Sequence, residues 1–266
     1  MNVVSLSIFD LSLAAGLVII MAILSYVMKL KMSQLIVVAA IRTVVQLLLI
    51  GFVLKWLFAQ QDFIWIAAMW LVMLLVAGRE IMARQTRRFK GFWGYGLGTV
   101  SVFLSSFVVG IFVLTMVVNN TPWYTPQYAI PLMGMIIGNT MTASSLALES
   151  LTTNAWQQRM VIEARLALGQ SWRQSIQGIA IQSVRIGLLP IVNAMAAAGL
   201  VNLPGMMSGQ ILGGTPPAEA VKYQILIMFM ITAASGFATL IVVWLGARHL
   251  FDERQRLSTG RLHVAG

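Results

Sequence analysis

Apolar runs long enough to cross a bilayer recur along this chain, and hardly any sequence is left between them to build a water-soluble core. They cover residues 11–28, 35–58, 63–78, 92–118, 128–148, a stretch between 176 and 201, and 221–246. A helix needs about 20 mostly apolar residues to span the hydrocarbon layer, and buried backbone in lipid must bond to itself. Only 10% of the 266 residues are charged, against about 25% in a soluble domain. The expectation is an all-α polytopic membrane protein with about seven transmembrane helices, forming a single domain over 1–266.

Charge placement gives an orientation. The opening residues, MNVVSLSIFD, have no basic residue ahead of the first apolar run. A secretory signal peptide starts with one, so the first run reads as a retained span. Lys29 and Lys31 follow it, and Arg79, Arg84, Arg87, Arg88 and Lys90 follow the third. With the N-terminus outside and the C-terminus inside, fourteen of the eighteen Lys and Arg are cytosolic, as the positive-inside rule requires. The net charge of +10 therefore reports orientation rather than an anionic partner. Nucleic-acid binding is excluded for want of a soluble domain. With no cysteine, disulfides, thiolate metal sites and a cysteine nucleophile are excluded as well.

The longest interior stretch too polar for lipid is 151–190, and its cytosolic part, 151–175, is expected to hold a short helix. On a helical wheel Trp156, Met160, Val161, Ala164, Ala167 and Leu168 share an arc of about 140°. Arg159, Glu163, Arg165, Gln158 and Gln170 fall outside it. Ile162 and Leu166 break the pattern, which suggests a second contact surface. Gly169 can end the helix in a left-handed turn and Ser171 can cap the next one. Such a helix suits docking to a soluble partner or lying on lipid headgroups. The other polar pieces are an outer Gly/Pro-rich segment at 203–220, read as a re-entrant loop or lid, and a basic, loose tail at 248–266.

Inside the membrane, Met135, Asn139, Thr142, Ser145 and Glu149 line one arc of the fifth span, a stripe about 21 Å long at 1.5 Å per residue. Lipid penalises such a stripe, so it faces protein or water. Helix packing explains it as well as a substrate pathway does, since Gly134, Gly138 and Thr142 form a small-residue ridge. Arg42 and Gln46 share a face of the second span, where Arg42 can snorkel or contact substrate. Gln182, Arg185 and Asn193 share a face of the sixth, beside a kink at Pro190. A sixth span starting at 176 puts Arg185 near mid-membrane, whereas a start near 184 makes it an interfacial anchor. Metal ligation is poorly supported: His249 and His263 both lie in the tail, and the methionines suit packing. Without a Walker A phosphate cradle or an intramembrane histidine, neither ATP hydrolysis by that route nor Ser–His hydrolysis is expected.

The segment EARLALG at 163–169 resembles the EAA-xxx-G coupling loop of ABC permeases, with Glu163, Ala164 and Gly169 matching and Arg165 in place of the second alanine. Together with Arg42-xxx-Gln46-Leu47, GMIIGNTMTASSLALES at 134–150 and LPGMMSGQILGGTPPAEAVKYQI at 203–225, it makes nearly the whole chain similar to the FetB-type ABC permease family, which is related to plant aluminium-tolerance half-transporters. The resemblance implies iron export across the bacterial inner membrane and protection against oxidative stress. It also implies two permease copies with two copies of a separate FetA-like ATP-binding subunit, which carries ATP and magnesium. No cofactor is expected on this chain. Residues 156–173 then form the coupling helix, with Trp156, Met160, Glu163, Ala164, Leu168 and Gly169 facing the ATPase. A stand-alone secondary transporter or channel is the alternative, and a non-transporting scaffold a third.

Overall fold

A computed structural model describes residues 7–30, 32–60 and 62–264. Lys31 and the first six residues of the N-terminal stretch lie outside these. In chain order the helices are α1 (Ile8–Val27), α2 (Ser33–Ala59), α3 (Phe63–Ala83), α4 (Trp93–Phe112), α5 (Pro126–Gln157), α6 (Arg159–Ala167), α7 (Trp172–Ala197), α8 (Gly205–Leu212) and α9 (Pro217–His249). A π-helical turn, Val113–Val118, extends α4. Two short strands, β1 (Arg87–Phe89) and β2 (Leu262–Val264), pair antiparallel.

The helices form two compact groups. In the first, α1 packs on α2. Ser7 opens α1 with a capping box, its hydroxyl accepting from the Asp10 N–H while the Asp10 carboxylate accepts from the Ser7 N–H. Apolar side chains cover both helices all round and most are exposed, as befits helices whose solvent is lipid.

The second group is built around α5, which packs against α3, α4, α7 and α9. More than half of its residues are buried. Small side chains allow this: Ala129, Ala143, Ser144, Ala147, Ser150 and Ala155 let neighbouring backbones come close. Buried hydroxyls bond back along their own helices, Thr140 to the Ile136 carbonyl at 2.8 Å and Thr152 to that of Leu148 at 3.0 Å. Others bridge helices, Ser106 with Thr140 at 3.1 Å and Ser183 donating to Ser150 at 3.2 Å. The tightest approach is at Gly187 of α7. A Cβ there would lie 2.7 Å from the Ala143 carbonyl oxygen and 2.9 Å from both Ala147 Cβ and Thr239 Cγ2, where three helices meet.

Six described helices are long and apolar enough to cross a membrane: α1, α2, α3, α4 with its π-helical extension, α7 and α9. The seventh expected span, 128–148, lies within α5, which has the length but not the apolar composition. Its polar residues are largely covered by four neighbouring helices, so its polarity fits the protein interior rather than lipid. Helix α7 runs unbroken from Trp172, with no helix boundary at 176 or 184. That puts Arg185 about 20 Å along the helix.

The 248–266 tail differs from the loose segment expected. Leu250, Phe251 and Leu262 are buried, and β2 pairs with β1 in the register Arg87 to Val264 and Phe89 to Leu262. The Arg261 guanidinium donates to the His249 carbonyl at 2.7 Å, satisfying an end carbonyl of α9. The four apolar side chains at 250, 251, 257 and 262 are enough to anchor an otherwise basic segment. Within 203–220, Gly205–Leu212 is helical and Gly214 takes a positive φ of 97°.

Candidate functional site

The α6 end of the second group brings together three sequence-distant pieces: the α3–α4 loop, the α5–α6–α7 corner and the tail. The expected 156–173 helix is broken there. Helix α5 ends at Gln157, α6 starts at Arg159, and Trp156 belongs to the last turn of α5. The turn expected at Gly169 is present with φ +86°. The Gln170 N–H donates to the Arg165 carbonyl at 3.1 Å and the Gly169 N–H to that of Leu166 at 3.0 Å, which is a Schellman ending. Ser171 then caps α7, its hydroxyl accepting from the Gln174 N–H while the Gln174 side chain accepts from the Ser171 N–H at 2.9 Å.

Helix α6 shows its apolar arc outward. Met160, Val161 and Leu168 are 69%, 47% and 83% exposed, whereas Ile162, one of the two residues that spoiled the wheel, is 1% exposed. Leu166, the other, is half-buried, and Glu163, Ala164 and Gly169 are exposed. Ile162 is therefore the anchor, and Met160, Val161 and Leu168 are left exposed. Arg165 donates to the Ser175 carbonyl at 3.2 Å, tying α6 to α7. Trp156 is half-buried, with the guanidinium of Arg87 4.2 Å and that of Arg159 5.0 Å from its ring, a cation–π arrangement. In the sequence Arg87 is one charge in a basic cluster; only the fold puts it on Trp156.

Burial varies along the stripe on α5. Asn139 is exposed and Met135 and Thr142 half-buried, while Ser145 is buried. The Asn139 amide donates to the Met135 carbonyl at 2.8 Å. Half-buried Glu149 accepts the Thr86 backbone N–H at 2.8 Å and the Thr153 hydroxyl at 3.1 Å, so it secures the α3–α4 loop. Beside it, buried Gln85 donates to the Ser145 carbonyl at 3.2 Å. On α7, Gln182, Arg185 and Asn193 are all exposed. Arg42 and Gln46 are exposed on α2, in the first group. Among the described residues no group of three or more His, Asp or Glu is placed to hold a metal ion.

The chain has no native cysteine, so the stripe can be probed by single substitution. Where the exposed side of α5 faces water rather than lipid, Asn139→Cys and Thr142→Cys are expected to react with a membrane-impermeant maleimide at least tenfold faster than Ser145→Cys. Equal rates at all three would mean that this side of α5 does not meet water.

The helices and the polar features between them define a multi-pass α-helical membrane protein. It belongs to the family described as "Uncharacterised protein family (UPF0014)", which matches residues 8–251. The chain is 34% identical to "UPF0014 membrane protein YjkA" of Bacillus subtilis (strain 168) over 93% of its length and 97% of that protein's. It is 31% identical to "Probable iron export permease protein FetB" of Escherichia coli (strain K12), covering 95% of each. With "Protein ALUMINUM SENSITIVE 3" of Arabidopsis thaliana it shares 32% identity over 92% of the chain and 89% of that protein. No solved structure matches.

Proposed function

We propose that this chain is the permease subunit of an ABC-type exporter in the bacterial inner membrane, moving iron and so contributing to iron homeostasis and resistance to oxidative stress. The observation that carries this is the outward apolar face of α6 at Met160, Val161 and Leu168, held at a fixed corner by buried Ile162. A structured apolar patch beside exposed charges, at the end of a membrane bundle, suits a soluble subunit. That subunit is a separate FetA-like ATPase carrying ATP and magnesium, and the complex is two permeases with two ATPases. Exposed Asn139, Gln182, Arg185 and Asn193 are costly against lipid, so a second copy or a hydrated path covers them. The N-terminus is outside and α6 is in the cytosol, in keeping with the positive-inside charge bias.

Iron as cargo rests on the printed name of the Escherichia coli relative. In the mechanism, ATP binding closes the partner dimer, which displaces α6. Arg165, bonded to the Ser175 carbonyl, passes the movement to α7, and α5 and α7 tilt to open the polar stripe outward. The test is iron uptake into inverted membrane vesicles containing the permease with and without its ATPase. Uptake is expected only with both proteins and ATP. Uptake by the permease alone under a proton gradient would favour a stand-alone transporter, and ATP-driven assemblies that leave iron behind would withdraw iron as cargo.

A further inference from the structure

Between α6 and the tail runs a groove of about 550 Å³, lined on one side by Glu163, Leu166, Ala167 and Gln170 and on the other by residues 254–257. The tail lip is firmly set. Asp252 accepts from the Arg256 N–H and guanidinium, both at 2.8 Å. Gln255, at φ +59°, accepts from the Trp172 N–H at 3.1 Å, so the turn is pinned to the start of α7. Phe251 beneath it is buried and packs on Trp172.

The charges on the two lips are unequal in their satisfaction. Arg256 is paired with Asp252 at 2.8 Å. Exposed Glu163 on one lip and exposed Arg254 on the other have no ion pair or side-chain hydrogen bond among the described residues. Two lone charges of opposite sign thus stand on the two sides of a groove whose apolar lining is Leu166, Ala167 and Leu257. This arrangement fits an element that brings a base to Glu163, an acid to Arg254 and an apolar side chain between them.

We infer that the C-terminal turn 252–257 is the second jaw of the docking site, and that the ATP-binding subunit is held in the groove between it and α6, with Arg254 contacting an acidic side chain of that subunit. The inference rests on the proposed coupling role of α6. The groove is continuous with that helix: Glu163 and Leu166 line it, while Met160 and Leu168 lie on the same nine-residue helix and its C-cap. The tail is also joined by β2 to β1 in the α3–α4 loop. A partner gripping both jaws therefore pulls on that loop and on the α6–α7 corner together.

The experiment measures binding of the purified FetA-like ATP-binding subunit to the full-length permease in nanodiscs. Arg254→Glu is expected to weaken binding at least tenfold with the thermal melt unchanged, whereas Arg254→Lys stays within about threefold of wild type. In an Arg254→Cys protein, maleimide labelling should slow at least tenfold when the subunit is bound. Met160→Glu serves as the control for α6 itself. Loss with Met160→Glu, but wild-type binding for Arg254→Glu and unchanged labelling at 254, overturns the second jaw and leaves α6 docking standing. Wild-type binding by both variants, or no binding by the wild type, overturns the docking surface as a whole and this inference with it.

Discussion

Gly187→Val is expected to leave almost no assembled protein. The first added carbon would sit 2.7 Å from the Ala143 carbonyl oxygen and 2.9 Å from Ala147 Cβ and Thr239 Cγ2. Two of these contacts are to α5 and one to α9, so no single side chain can turn aside to make room. Overpacking of this kind costs about 1–3 kcal/mol even for small additions. Gly187→Ala should therefore yield reduced amounts of a less heat-stable protein, and the valine variant aggregated or degraded material. Gly178 on the same helix provides the contrast, because a Cβ there meets nothing within 4 Å; Gly178→Ala should be neutral or slightly stabilising, as alanine favours helix by about 1 kcal/mol. Size-exclusion profiles and thermal melts of the three variants decide the matter. A monodisperse Gly187→Val protein melting with the wild type would show that the α5–α7–α9 junction is not as drawn.

Deletion of 160–168 carries the other large effect. It removes the exposed Met160, Val161 and Leu168 together with the buried Ile162, but nothing from the long helices. Association with the proposed ATP-binding subunit is expected to fall at least a hundredfold, and the proposed stimulation of ATP hydrolysis with it, since a docking patch concentrates affinity in a few central side chains. Glu163→Lys tests the same surface without altering chain length. Protease protection of the long helices should be unchanged in both proteins. If either variant copurified with the subunit and stimulated hydrolysis normally, α6 would not be the coupling element.

Legibility in the sequence tracked the range of the interactions. Gly169 and Ser171 could be read in advance because a left-handed turn and a capping box are settled within about four residues. The arc on α6 is legible for the same reason, and of the two residues that disturb it Ile162 turns inward while Leu166 is half-buried against the groove. The tail was hidden because β2 meets a strand some 170 residues away, at Arg87–Phe89, and a three-residue strand has no pattern of its own. Glu149 illustrates the limit at the candidate site. Its place on the polar stripe was visible from helical spacing, but its acceptance of the Thr86 N–H depends on how the α3–α4 loop folds back. Arg165, read as a departure from a motif, has a local task at the Ser175 carbonyl that the motif alone does not specify.

Among the described residues, helix α5 is the one long helix not apolar enough to cross a membrane, and the one with most neighbours. Two of its buried hydroxyls, on Thr140 and Ser150, meet Ser106 and Ser183, partners on helices made before and after it. Partitioning one segment at a time therefore cannot explain how it reaches its place. Residence in the bilayer is, for this helix, a property of the company it keeps, and biogenesis of the protein must be cooperative across α3, α4, α7 and α9.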